Sequence, residues 1–155
     1  MTDANFEARV KLIQRHVAAQ GFMALVGAKL GEITPGACVI TVAKRPEVLQ
    51  QFGMFHGGVT AFLVDNATTI AAATVMAADQ LALTAEFKLN FLSPALGDEL
   101  MCRARVIKPG RSTTVVAADV YCRANGAEKH TATALASVAM LDGAALPPIG
   151  PPVKP

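Results

Sequence analysis

The segment from Gln50 to Asn66 reads Gln-Gln-Phe-Gly-Met-Phe-His-Gly-Gly-Val-Thr-Ala-Phe-Leu-Val-Asp-Asn and gathers residue types that handle carbonyl chemistry. His56-Gly57-Gly58 opens a long, nearly uncharged run, and one carboxylate, Asp65, sits inside it. An acid among Val, Leu, Phe and Ala is costly unless it has partners or a task. Glycines at the start of a helix bare backbone N–H groups where partial positive charge collects. An acid or nucleophile together with an oxyanion-type donor are the parts needed to cleave an acyl bond.

The spacing carries a geometric consequence. Gly57 and Asp65 are eight residues apart, roughly 12 Å along a helix rising about 1.5 Å per residue. One carbonyl carbon cannot sit within hydrogen-bond reach of both groups from the same chain. If both act on one carbonyl, they must come from two subunits, and a two-fold axis would create two equivalent sites per dimer.

Each of these residues also has a plainer reading. Asp65 could be a structural acid with Asn66 as its partner, and Gly57 and Gly58 could merely permit a tight turn into the helix. A catalytic Asp65 must be ionised at neutral pH, which calls for a hydrogen-bond donor such as Thr69. No Ser or Cys nucleophile stands near enough to pair with His56, so His56 is an orienter or a structural residue. His16 and His130 read as ordinary surface residues. Arg103, Arg105, Lys108, Arg111 and Arg123 are candidate phosphate contacts or simply a solvated strand face. Phe55, Phe62, Phe87 and Phe91 read as core packing more than as an acyl-pocket lining.

Composition narrows the class. The chain has 155 residues, 52% hydrophobic and 17% charged, enough for one domain with a real core and for oligomerisation. A net charge of +2 gives no argument for nucleic acid. Cys38, Cys102 and Cys122 are far apart, form no C-x-x-C pair and read as buried free thiols in a reducing compartment. No signal peptide is visible at the start, and the run from Val59 to Ala78 is interrupted by Asp65, Asn66 and several Thr. These points together predict a cytoplasmic protein with no membrane span and no metal or cofactor.

The elements that must position these groups follow from periodicity. Phe6, Val10, Ile13 and Val17 form an apolar stripe on a helix from about Asn5 to Gln20, with Gly21 as its stop. Strands are expected over Leu25 to Thr34 and Ala37 to Ala43 around a Pro35-Gly36 turn, then a short helical turn from Pro46. The helix after His56 has no proline or glycine beyond Gly58, runs to about Ala78 and is apolar nearly all round, so it should be buried on every side. Four antiparallel strands follow, at about 81–92, 99–108, 113–123 and 129–141, with Asn125-Gly126 as a hairpin turn. One domain spans 1–142, and a Pro-rich, extended tail spans 143–155. The fold class is α+β, a curved antiparallel sheet wrapped round one buried helix.

This layout, together with Phe52-Gly53-Met54-Phe55-His56-Gly57-Gly58, an acid nine positions after His56, Leu92-Ser93-Pro94-Ala95 and Pro109-Gly110-Arg111-Ser112, resembles the hotdog-fold acyl-CoA thioesterases of the PaaI-like branch. The resemblance covers about Met23 to Leu141. It implies hydrolysis of acyl-CoA to a free acid and CoA without metal, in homodimers with composite sites that pair into tetramers. It implies that Asp65 attacks the thioester carbonyl or activates a water, that the Gly57 N–H polarises the carbonyl oxygen, and that Gln50 and His56 lie in the site. Thr69, one turn after the acid, and Thr84, in the following strand, match hydroxyls that assist in some relatives, with Thr68 adjacent to the first. The turn Gly110-Arg111-Ser112 matches the grip on CoA. Two other functions fit the fold: a hydratase or dehydratase on acyl thioesters, for which the characteristic His and acid pairing is missing, and a non-catalytic acyl-CoA binder.

Overall fold

Alternating burial along the strands builds a sheet with one covered face. In the strand from Thr113 to Ala124, Thr114, Val116, Ala118, Val120 and Cys122 are buried while their neighbours are not. The computed structural model describes residues 3–142 and 150–151. Its elements are α1 (Asp3–Ala18), α2 (Gly21–Val26), β1 (Ala28–Thr34), β2 (Ala37–Ala43), a 3-10 turn (Pro46–Val48), α3 (Gly57–Ala73), β3 (Gln80–Phe91), β4 (Glu99–Lys108), β5 (Thr113–Ala124) and β6 (Ala127–Asp142). The six strands form one antiparallel sheet in the order β1-β2-β4-β5-β6-β3.

The covered face receives α3, which packs on β2, β3, β4, β5 and β6. Small residues let the helix sit close: Ala104, Ala118, Ala132 and Ala136 from the sheet meet Leu63, Val64, Ala67 and Ala71 of the helix, all of them buried. The α+β layout expected from the sequence is present, and β2 and β4 have the expected bounds. The Asn125-Gly126 turn joins β5 to β6 with both residues at positive φ, 51° and 78°, as a tight hairpin of right-handed strands requires. The expected tail, 143–155, lies outside the described residues apart from 150–151, which are exposed.

Three expectations need correction. Leu25 and Val26 belong to the short helix α2, not to a strand. Burial of Met23 and Val26 holds that turn, and Gly27 at φ 66° ends it. The central helix stops at Ala73, five residues early. Thr74 turns its hydroxyl back onto the Ala71 carbonyl at 2.7 Å and accepts the Gly36 N–H at 2.7 Å. The guanidinium of Arg9 takes the Ala73 carbonyl at 3.1 Å, so the helix end is closed by side chains rather than by glycine or proline. Lastly, α3 is not buried all round within one chain. Ala61, Phe62, Asp65, Asn66, Thr69 and Ala73 form a half-exposed stripe at helical spacing.

Candidate active site

The N-terminus of α3 organises the first group of residues. His56 is the N-cap, and its Nδ1 accepts the Gly58 N–H at 2.9 Å, so the proton of the neutral ring sits on Nε2. The His56 N–H is held by the Val48 carbonyl at 2.9 Å. That leaves Gly57 as the first helical residue, and its N–H has no acceptor among the described residues. Gln50 belongs to a turn closed by the Leu49–Phe55 bridge, in which its N–H donates to the Met54 carbonyl at 2.9 Å. Its side-chain amide has no hydrogen-bond partner among the described residues. Gln50 and Gly57 line one cavity of about 450 Å³ with Phe91, Ser93 and Pro94. The Phe91 ring lies over Gly57, where an added Cβ would meet it at 3.2 Å. His56 thus has a clear structural role here, as the cap that satisfies the Gly58 N–H, while the Gly57 N–H stays free as a first-turn donor.

A second group lies further along α3. Asp65 is half-buried on the uncovered stripe and lines neither the Gln50–Gly57 cavity nor a second one that Thr69 lines. No hydrogen bond or ion pair to its carboxylate is formed among the described residues. Asn66, the expected structural partner, donates instead to the Phe62 carbonyl at 3.5 Å. Thr69 follows one turn later on the same face. Its hydroxyl is 2.7 Å from that of Thr84, so the expected Thr69 bond to Asp65 is replaced by a hydroxyl pair that ties α3 to β3. Thr84 shares the inward face of Ala82 by ordinary alternation, and the bulge between Thr84 and Glu86 then shifts the phase of β3. Before it Ala82 is buried, and after it Phe87 and Leu89 pack on the core. Thr68 is fully buried, with its hydroxyl on the Val64 and Asp65 carbonyls, so it faces away from this group.

The two groups do not meet. Gly57 and Gln50 open into one cavity. Thr69 lines another, of about 630 Å³, between α1, the C-terminal half of α3 and the start of β3. Sequence periodicity found Ile13 and Val17 of this second cavity but missed its polar residues on α1. Arg9, His16 and Gln20 line it, although only Phe6, Val10, Ile13 and Val17 had stood out as an inward stripe. The signal that could have found them is the polar series Asn5, Arg9, His16 and Gln20, which repeats at helical spacing beside the apolar one. His16 is half-buried, not a plain surface residue. Desolvation, then the nearby Arg15, lowers its pKa and favours the neutral ring.

Gly110-Arg111-Ser112 forms the turn between β4 and β5. Gly110 cannot be replaced there, because a Cβ would stand 2.2 Å from the Thr113 carbonyl oxygen. The turn is tied to both neighbouring strands: Gln80 donates to the Arg111 carbonyl at 2.8 Å, and Met140 donates to that of Ser112 at 2.9 Å. The Arg111 side chain is exposed and has no partner among the described residues. Arg103 and Arg123 instead share Glu128, at 2.8 and 2.9 Å, and Arg123 also holds Glu99. His130 is exposed as expected, paired with Asp119 at 3.2 Å and stacked on Tyr121. All three cysteines are buried and free, and burial pushes the Cys38 thiol up to about 12. Among the described residues no group of three or more His, Cys, Asp or Glu is placed to hold a metal, and no helix is long and apolar enough to cross a membrane.

Comparison with known proteins bears on what this arrangement does. The profile of the thioesterase superfamily matches residues 52–128. The chain is 30% identical over 105 residues to acyl-coenzyme A thioesterase 13 of Homo sapiens, covering 63% of this chain and 73% of the relative. It is 28% identical over 95 residues to 1,4-dihydroxy-2-naphthoyl-CoA hydrolase of Listeria monocytogenes, covering 61% and 77%. A thioesterase family protein of Silicibacter pomeroyi superposes with a TM-score of 0.84 at 35% identity, covering 87% of this chain and 99% of that one.

Proposed function

The chain belongs to the thioesterase superfamily and is a hotdog-fold acyl-CoA thioesterase, and from that premise we propose a catalytic site completed by a second copy of the chain. The Gly57 N–H and the Gln50 amide of one subunit hold the thioester carbonyl. Asp65 of the other attacks the carbonyl carbon or takes a proton from a water that does. The carbonyl oxygen gains negative charge in the tetrahedral intermediate, at the positive end of α3, where an oxyanion donor is worth about 2.7–4 kcal/mol. Collapse expels the CoA thiolate, which takes up a proton, and leaves the free acid or an acyl-Asp65 anhydride that water then opens. Arg111, exposed and unpaired, contacts the CoA phosphates. The motif match supports the PaaI-like branch, and the unbroken sheet and helix support one domain over 1–142.

The observation that carries this reading is the separation of the two groups. Gly57, with its free N–H, lines one cavity, while Asp65 lies on a half-exposed stripe that its own chain leaves uncovered. The long edge strand β3, paired on one side only, and the exposed Phe91, Leu92 and Leu83 supply a surface for the second copy. Mixing two inactive variants tests it. Asp65→Asn dimers mixed with Gln50→Ala dimers, after subunit exchange, should regain about one quarter of wild-type CoA release, since half the dimers are mixed and each holds one intact site. No recovery after exchange has been verified would overturn the composite site.

A further inference from the structure

The cavity between α1, α3 and β3 has a wall that is mostly apolar, with Leu12, Ile13, Ile70 and Met76 among its residues, and one cation, Arg9. Nη1 of Arg9 donates to the Ala73 carbonyl, Nε is enclosed without any acceptor, and no carboxylate pairs with the guanidinium among the described residues. The C-terminus of α3 offers the charge some compensation, but only about half an elementary charge. A cation on an apolar wall without a full counter-charge is an unfinished pair. Ala73 is eight residues beyond Asp65 on α3, so Arg9 stands roughly 12 Å along the helix from the reacting carboxylate, with Thr69 midway.

We propose that this cavity holds the acyl group and that Arg9 selects acyl-CoAs whose far end carries a carboxylate, the mono-CoA thioesters of α,ω-dicarboxylic acids. The proposal rests on the thioesterase reading above. Carbon–carbon bonds of about 1.5 Å in a zigzag chain advance by roughly 1.3 Å each, so a span of roughly 12 Å is about nine bonds, a chain of about ten carbons, or as few as about six where the Asp65 and Arg9 side chains reach towards one another. The volume of about 630 Å³ lies within the range of small-molecule sites. The substrate's terminal carboxylate would accept from Nη2 and from the second Nη1 hydrogen, supplying the missing charge as a paired contact. Arg9 is a specificity residue and takes no part in the chemical step.

The test compares kcat/KM for matched pairs: adipoyl- with hexanoyl-CoA, suberoyl- with octanoyl-CoA and sebacoyl- with decanoyl-CoA. In the wild type the carboxylate member should win in at least one pair. Arg9→Met should lower that substrate's kcat/KM by about 10- to 150-fold, the range for a hydrogen bond to a charged group, while its neutral partner changes little. Arg9→Lys should retain part of the preference. Free suberate should inhibit wild-type turnover more strongly than octanoate, a comparison that needs no variant and so covers an Arg9→Met protein that does not fold. A preference for the neutral member in all three pairs, with no stronger inhibition by suberate, would overturn the proposal. Failure to cleave any of the six would also overturn the proposal if CoA is released from an aryl-acyl-CoA, whereas no release from aryl- or alkyl-acyl-CoAs alike would instead overturn the thioesterase reading.

Discussion

At the residue scale, Asp65 and the Thr69–Thr84 pair carry the sharpest expectations. Asp65→Asn keeps shape and removes the charge, so kcat should fall by roughly 10²–10⁴-fold with the melting temperature little changed. Unchanged CoA release would remove Asp65 from the mechanism. The 2.7 Å contact between Thr69 and Thr84 joins an element of the candidate site to the sheet. Thr69→Val and Thr84→Val should each lower stability by about 1 kcal/mol, and the double variant by clearly less than the sum, because the two changes break one bond. Full additivity in urea unfolding would show that the hydroxyls act separately. The cysteines give a third expectation. Burial raises all three thiols, so little thiolate exists at neutral pH. A disulfide-exchange reagent should leave the native protein unlabelled and count three thiols after unfolding; rapid native labelling would contradict the burial.

At the scale of elements, the end of α3 is the part that the sequence concealed. Its run of Ala, Thr and Val contains no residue that must stop a helix, and periodicity continues it to Ala78. The stop comes from the Thr74 hydroxyl, whose partners are Ala71 next to it and Gly36 far away in sequence. Thr74 is fully buried, so Thr74→Ala should orphan the Gly36 N–H and cost about 1–3 kcal/mol, whereas Thr74→Ser should recover most of it. Equal loss in both variants would assign the effect to the methyl group instead. The strands were far more legible. Glu86, Lys88 and Asn90 alternate with Phe87, Leu89 and Phe91 and point as the pattern requires, yet the bulge before Glu86 left no mark in composition. That bulge is what lets Thr84 and Phe91 face the same helix despite their odd separation.

At the scale of the molecule, β3 has an unpaired edge and α3 an uncovered stripe. We expect a dimer at micromolar concentration, and pairing of dimers into a tetramer, read by analytical ultracentrifugation as two or four times the 16.1 kDa chain. A stable monomer that turns over acyl-CoA at the wild-type rate would refute the composite site. The same scale explains why the cavity residues escaped notice. Arg9 and His16 acquire meaning only when α1 is laid against α3 and β3, and the helical period of α1 alone favours its more apolar stripe.

The sequence by itself determined the antiparallel strands, the start of the central helix, the place of Gly57 and Asp65 on it, and that of Gln50 in the turn before it. These depend on periods of two and 3.6 residues, on glycine and capping chemistry, and on the fixed rise of a helix, all of them local. The eight-residue gap even separated Gly57 from Asp65 before any coordinates. Only the tertiary structure decided where α3 ends, that Thr69 bonds Thr84 rather than Asp65, that Thr68 is turned away, and that Arg9 stands unpaired on a cavity wall. Each of those facts is a contact between residues distant in sequence, set by how the helices and the curved sheet close on one another, and local periodicity carries no record of such meetings.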